Sequence, residues 1–282
     1  MLFVTPEEAV VGLDLPHVQV VADNLPQGWE ESVVACWGMG TEIQTQYDKP
    51  TDPNSRDIAL SLSVRDPFAE PRIHRALPGG MYDLESYVQE VVDGIHDHWI
   101  DPEAGKWQYT YHERMATYSV PGLEKPVDQL AQVVKDLVAA PYTRRAQISI
   151  WKPWEDAGFE HPACLQNFWF RVFNDRLVMR CHIRSNDAFK AAFMNMFAFT
   201  ELQKVIAERV SIGLGRPIAV GQYDHIADSF HIYGSYFEDF VQGFLVSLEA
   251  RSFEQRTYRT EQVAPLFKEA REKIAAKPAQ KE

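Results

Sequence analysis

Apolar and polar positions alternate most clearly at Ile58, Leu60, Leu62 and Val64, the period-two pattern of a half-buried strand. The strand follows turn chemistry at Asp52-Pro53-Asn54-Ser55. Leu84, Tyr87, Val88, Val91, Val92 and Ile95 fall on one face at helical spacing, with Asp83 placed to cap the helix and Gly94 weakening its end. Val127, Leu130, Ala131, Val134, Leu137 and Val138 predict another amphipathic helix, stopped by Pro141. A strand-like run over 146–151 comes next, and then two more that meet at Asn174-Asp175, a dipeptide suited to a tight hairpin. From Phe193 to Val210 the pattern is apolar nearly all round, which predicts a central, buried helix. Residues 218–233 read as strand and 237–248 as a last packed helix.

The ends carry less pattern. Residues 1–55 form a divergent N-terminal segment with strand-like stretches at 18–22 and 32–46, separated by the turn signal Pro26-Gln27-Gly28. The main domain is expected to span 56–260. Residues 261–282 read as a charged, alanine-rich tail that frays. Gly213-Leu214-Gly215 is too short for a dinucleotide fingerprint and precedes a strand. No internal repeat is visible.

Composition narrows the class. The 282 residues are 45% hydrophobic and 24% charged, as in an ordinary soluble globular protein. The formal net charge of -12 argues against duplex nucleic acid as a partner, although a local arginine cluster can still hold a mononucleotide. No apolar run is long enough to span a bilayer. The start carries Glu7, Glu8 and Asp14 without a basic cluster, so it does not read as a secretory signal. Cys36, Cys164 and Cys181 are odd in number and widely spaced, which suggests reduced thiols in a cytoplasmic protein. His96 and His98 lack a third ligand at metal spacing, so no metal is expected.

The richest chemistry lies between Arg144 and Asn195. Arg144-Arg145 opens the stretch, His161-Pro162-Ala163-Cys164-Leu165-Gln166 forms its centre, and Arg184-Ser185-Asn186-Asp187 and Asn195 close it. A hairpin at Asn174-Asp175 would return Arg184 to Cys164, where a guanidinium favours the thiolate. Arginines with a serine suit a phosphate, and a carboxamide can read a donor and an acceptor on a base edge.

Arg144-Arg145, the Pro-Ala-Cys turn, Arg-Ser-Xaa-Asp and His231-Ile232-Tyr233 resemble the thymidylate synthase / pyrimidine hydroxymethylase superfamily. The likeness covers roughly residues 54 to 240 and is specific from 141 to 236. It looks closest to the short archaeal-type synthases, which share Thr-Tyr-Xaa-Xaa-Arg (Thr110 to Arg114) and a Cys-Leu-Gln turn. The resemblance implies an α+β domain: a twisted mixed sheet with helices on one face and a second subunit on the other. It implies a homodimer in which Arg144 and Arg145 reach the partner's site.

The roles follow from the same likeness. Cys164 attacks C6 of the pyrimidine, and Arg184 stabilises the thiolate and binds phosphate with Ser185 and Arg56. Gln166 binds the substrate, and Asn195 reads the uracil edge. His231 and Tyr233 hold the ribose hydroxyl, Asp187 bonds the pterin of 5,10-methylenetetrahydrofolate, and Trp99 stacks on the folate. Glu90 and Tyr111 manage protons. The expected reaction is dUMP to dTMP. A pyrimidine nucleotide 5-hydroxymethylase acting on dUMP, dCMP or a ribonucleotide is the alternative, and a non-catalytic nucleotide-binding homologue is a third. Three departures bear on that choice. Leu165 stands where common bacterial synthases carry histidine, Lys190-Ala191-Ala192-Phe193 replaces Leu-Gly-Leu-Pro, and the segment that closes over folate is not recognisable.

Overall fold

The computed structural model describes residues 14–276; the first thirteen residues and the Lys277–Glu282 end of the tail lie outside the described residues. Strand β1 (His17–Ala22) leads into helix α1 (Leu25–Met39), followed by β2 (Thr41–Ile43), β3 (Ser55–Val64) and β4 (Ile73–His74). Helices α2 (Met81–Asp93), α3 (Tyr111–Ala116) and α4 (Gln129–Ala139) precede β5 (Gln147–Ser149), the short α5 (Pro153–Asp156) and β6 (Leu165–Phe173). Then come β7 (Arg176–Ile183), β8 (Asn186–Asp187), the long α6 (Ala192–Leu214) and β9 (Ala219–Ile232). The chain closes with α7 (Phe237–Asp239), a π-helical stretch Phe240–Leu245, α8 (Val246–Ala250), β10 (Thr257–Tyr258) and α9 (Thr260–Ala276).

The main sheet runs β1-β3-β9-β7-β6-β5, with β2 beside β3 and β8 beside β9. It is mixed: β1 lies parallel to β3 and β7 parallel to β9, while β3–β9 and β6–β7 are antiparallel. Ile58, Leu60, Leu62 and Val64 of β3 are buried, and α6 buries Phe193, Phe197, Phe199, Ile206 and Val210 around much of its circumference. The result is the α+β arrangement that the resemblance implies, with α1, α4 and α6 packed on the sheet and α2 packed on α6. On the opposite side Trp169, Arg171, Val178, Arg180 and His182 are partly or fully exposed.

The N-terminal segment differs from its sequence reading. Residues 32–39 are helix, not strand, because Leu25, Trp29, Val33 and Cys36 share one buried face at helical spacing. Asn24 caps this helix by accepting from Gln27 N at 3.1 Å, and Pro26 occupies its first turn, where the missing N–H costs nothing. Gly28 is required by packing: a Cβ there would stand 2.9 Å from Leu62 Cδ1. Strand β1 pairs with β3 over its whole length, so this segment belongs to the same sheet as the residues that follow.

The C-terminal tail also departs from expectation. Thr260–Ala276 is a helix, not a frayed end: Val263, Phe267 and Ala270 are buried, Phe267 stacks on Phe197, and Arg271 pairs with Glu85 of α2 at 2.8 Å. Its apolar stripe is short and interrupted by charge, and becomes legible only against its partners on α2 and α6. The helix read at 237–248 is present and runs through a π-helical stretch, which buries Phe240 and Phe244.

Candidate active site

The β6–β7 hairpin turns at Asn174 and Asp175, whose positive φ values of 49° and 55° match a tight two-residue connection. Register then pairs Leu165 with Ile183, and Arg184 N donates to Cys164 O at 2.9 Å. The guanidinium is fixed by two carbonyls, with Nε donating to Ala163 O at 3.0 Å and Nη2 to Pro162 O at 2.7 Å. Nη2 also lies 3.8 Å from Cys164 Sγ. Burial pushes the half-buried Cys164 thiol up, and the Arg184 charge offsets only part of that. Desolvation thus opposes the thiolate that the guanidinium favours. Gln166 Nε2 donates back to Ala163 O and Cys164 O at 3.0 and 3.2 Å, bracing the turn.

The Thr-Tyr-Xaa-Xaa-Arg segment supports this turn from beneath. Thr110 caps α3 by accepting from Glu113 N at 2.9 Å, which aims Arg114 inward. Arg114 pairs with Asp156 at 3.1 Å, both side chains being at most 3% exposed. Asp156 in turn accepts from Lys152 N at 2.7 Å and Ala163 N at 3.2 Å. A buried ion pair thus holds the residue that precedes Cys164.

Phenols surround the sulfur. Tyr87, Tyr109, Tyr111 and Tyr233 all lie within electrostatic range of Cys164, and burial raises each of their pKa values. Tyr111 Oη accepts from Leu165 N at 3.4 Å. On α2, Glu90 meets His96 Nδ1 at 2.8 Å, and burial raises its pKa despite that partner. His96 is stacked on Trp99 with ring centroids 3.8 Å apart, so Trp99 spends one face on this histidine while 39% exposed.

Asn195 occupies the first turn of α6, where its Nδ2 donates to Tyr87 Oη at 2.6 Å and its Oδ1 accepts from Asn186 Nδ2 at 3.0 Å. Asp187 lies next to His231 in the β8–β9 pairing; its Oδ1 accepts from Phe189 N and Lys190 N, and burial raises its pKa. His231 and Tyr233 meet edge to face at 4.6 Å, as expected for residues two apart in an extended run. Burial pulls His231 down to about 4. The hairpin, α2, α3, α6 and the end of β9 thus bring together a thiol, a guanidinium, phenols, a carboxamide and two carboxyl groups.

The sequence profile for thymidylate synthase matches residues 82–268, which contain all of these groups. The chain belongs to the thymidylate synthase family. It is 25% identical over 199 residues to a provisionally named thymidylate synthase of Methanocaldococcus jannaschii, covering 69% of this chain and 81% of that one. A provisionally named thymidylate synthase of Methanosarcina acetivorans is 23% identical, with 73% and 88% covered. The fold is similar to that of thermostable thymidylate synthase A from Bacillus subtilis, with a TM-score of 0.61 at 18% identity over 82% of this chain and 86% of that one.

Within this thymidylate synthase fold, no hydrogen bond or ion pair joins Arg56, Arg144, Arg145 or Ser185 to Cys164 among the described residues. Arg56 begins β3 beside Ile232, but its guanidinium lies over Trp37 and pairs with Glu42 at 3.2 Å. Arg144 and Arg145 are exposed, and neither guanidinium has a partner among the described residues. Ala146 O accepts from Phe170 N and Pro141 O from Val172 N, which puts both arginines near the far end of β6. From Cys164 to that end is about 20 Å at a strand's rise of about 3.3 Å per residue. Ser185 is half-buried next to Arg184. Among the described residues no cluster of three or more His, Cys, Asp or Glu side chains is placed to hold a metal, and no helix is long and apolar enough to cross a membrane.

Three contributors carry no clear signal in the sequence. Tyr87 falls within the apolar face of α2, Asn186 is the variable position of Arg-Ser-Xaa-Asp, and His96 suggests at most a metal ligand. His225, a buried histidine on an otherwise apolar strand face, was the one available clue to a polar chain behind Asn195.

Proposed function

We propose that this protein transfers a one-carbon unit from 5,10-methylenetetrahydrofolate to C5 of a pyrimidine nucleoside monophosphate, with dUMP to dTMP as the reaction. The observation that carries this reading is Cys164 Sγ beside Arg184 at 3.8 Å, with Tyr87, the partner of the Asn195 carboxamide, in electrostatic range of the same sulfur. A soft nucleophile set there can add to C6 of the pyrimidine, which makes C5 a carbon nucleophile. Arg184 keeps Nη1 for an anionic oxygen, since Nε and Nη2 are spent on carbonyls. A bound phosphate would therefore sit close to the thiol that must lose its proton.

Glu90 and Tyr111 serve proton transfer from the α2 and α3 side of the site, and burial raises the Glu90 pKa, as suits a carboxyl group that must give a proton. Folate, when bound, supplies the one-carbon unit and, for a methyl product, the hydride. The residues present fit it: Asp187 offers a carboxylate with one oxygen tied to two amides, and Trp99 offers a partly exposed indole face. A homodimer completes the site in this reading, because Arg144 and Arg145 are free, exposed and too far along β6 to reach their own Cys164.

The second reading is a 5-hydroxymethylase, in which water meets the methylene intermediate. It is favoured by the docking of α9 on α2 and by the engagement of Trp99 with His96, two features that leave water exclusion to other groups. Two experiments test these readings. Intact mass after incubation with 5-fluoro-dUMP and methylenetetrahydrofolate should show a ternary adduct on wild type and none on Cys164→Ala; an unmodified wild type refutes the nucleophile and favours a non-catalytic binder. Chromatography of the dUMP reaction then separates the readings. dTMP with dihydrofolate supports the synthase, and 5-hydroxymethyl-dUMP with tetrahydrofolate supports the alternative.

A further inference from the structure

We propose that Asn186 and His225 lock the orientation of the Asn195 carboxamide and so set the choice between uracil and cytosine. The inference rests on the nucleotide reading above. It concerns positioning residues, because both act through Asn195.

The chain of contacts has a single polarity. Asn195 Nδ2 donates to Tyr87 Oη at 2.6 Å, and Asn195 Oδ1 accepts from Asn186 Nδ2 at 3.0 Å. With its nitrogen spent on Asn195, Asn186 presents Oδ1 to His225 Nε2 at 2.9 Å, so Nε2 carries the imidazole proton. His225 Nδ1 is then an acceptor, and Tyr223 Oη stands 2.8 Å away to donate to it. His225 and Tyr223 are fully buried, and burial pulls the imidazole down to about 3, so it stays neutral with one N–H to give.

Orientation matters because of base chemistry. A carboxamide has two N–H donors and two oxygen lone pairs, so Asn195 keeps one of each for a ligand after serving Tyr87 and Asn186. Uracil shows an acceptor at O4 and a donor at N3–H. Cytosine shows the reverse, a donor at N4 and an acceptor at N3. A carboxamide turned by half a rotation would therefore fit cytosine as well as the other setting fits uracil. Discrimination by Asn195 needs something to stop that rotation. Turning it here would face Asn195 Nδ2 against Asn186 Nδ2, donor against donor in a buried site, unless every member of the chain turned together.

The test inverts the polarity with one isosteric change. In Asn186→Asp at pH 8 the carboxylate only accepts, so it takes His225 Nε2–H and can be met by Asn195 only through Nδ2. Affinities for dUMP and dCMP are measured by titration calorimetry on the full chain, with turnover of each nucleotide alongside. The dUMP-to-dCMP affinity ratio should fall by about tenfold or more. Asn186→Leu, which removes the lock without redirecting it, should relax the ratio toward one and serves as the test if the aspartate variant does not fold. Loss of both affinities in equal proportion, with the ratio unchanged, would mark a merely structural role and overturn the inference. A wild type that binds neither nucleotide overturns the functional reading itself, and this inference with it.

Discussion

Arg114→Leu should destabilise the protein far more than an ordinary arginine substitution. Arg114 Nη1 and Nη2 lie 3.1 and 3.5 Å from the Asp156 carboxylate, and both side chains are at most 3% exposed. Removing the guanidinium leaves a buried carboxylate served only by the Lys152 and Ala163 amides. Breaking such a pair from one side costs about 3–5 kcal/mol. At about 2–4 °C per kcal/mol for a chain of this size, Tm should fall by roughly 6–20 °C. Differential scanning calorimetry with urea unfolding measures this directly. The double variant Arg114→Leu/Asp156→Leu should recover only part of the stability, since apolar groups often replace a buried pair without loss while the Lys152 and Ala163 amides lose their acceptor. Adduct formation on Cys164 should be lost in it, because Asp156→Leu takes the acceptor from the Ala163 amide next to Cys164. A single variant within about 1 kcal/mol of wild type would mean that the pair is effectively solvated, since exposed ion pairs are worth no more than that. A double variant with full adduct formation would refute the positioning of the Cys164 turn by Asp156.

Native-state alkylation with iodoacetamide should label Cys164 alone, since Cys36 and Cys181 are buried and burial pushes the Cys181 thiol up to about 12. Its rate should keep climbing with pH beyond the ordinary thiol midpoint of about 8.5 and should drop in Arg184→Gln; earlier labelling of either buried cysteine counts against the site. Stability should fall as pH drops from about 6.5 toward 4, because the unfolded chain protonates His225 and His231 while their folded values are about 3 and 4. The raised carboxyl groups of Asp57 and Asp187 act in the opposite sense, so the readout is the difference from His231→Asn, whose slope should be shallower; identical slopes refute the burial argument. Asn195→Asp should shift turnover toward dCMP by about 1–3 kcal/mol, since Tyr87 and Asn186 can both donate to the new carboxylate. A wild type that already prefers dCMP would contradict the base-reading role of Asn195.

Local pattern determined much of this protein. Alternation fixed β3, the helical stripes of α2 and α4 were explicit, and the Asn174-Asp175 dipeptide announced the hairpin that returns Arg184 to Cys164. Those are short-range facts, set by side-chain period and turn geometry over a few residues. The family likeness added the roles expected of Cys164, Arg184, Asp187 and Asn195, because spacing along the chain survives where overall identity is low. Tertiary structure alone decided the rest. Residues 32–39 became helix because Trp29 and Val33 found a buried face against the sheet, and the supposed tail became α9 because α2 and α6 offered partners for Val263 and Phe267. The net state of the Cys164 thiol depends on desolvation as much as on Arg184, and desolvation has no signature in a sequence. The chain Tyr87–Asn195–Asn186–His225–Tyr223 joins residues from α2, α6, β8 and β9, each unremarkable in its own segment. Hydrogen-bond polarity is a property of such a closed set, so only their meeting in space could define it.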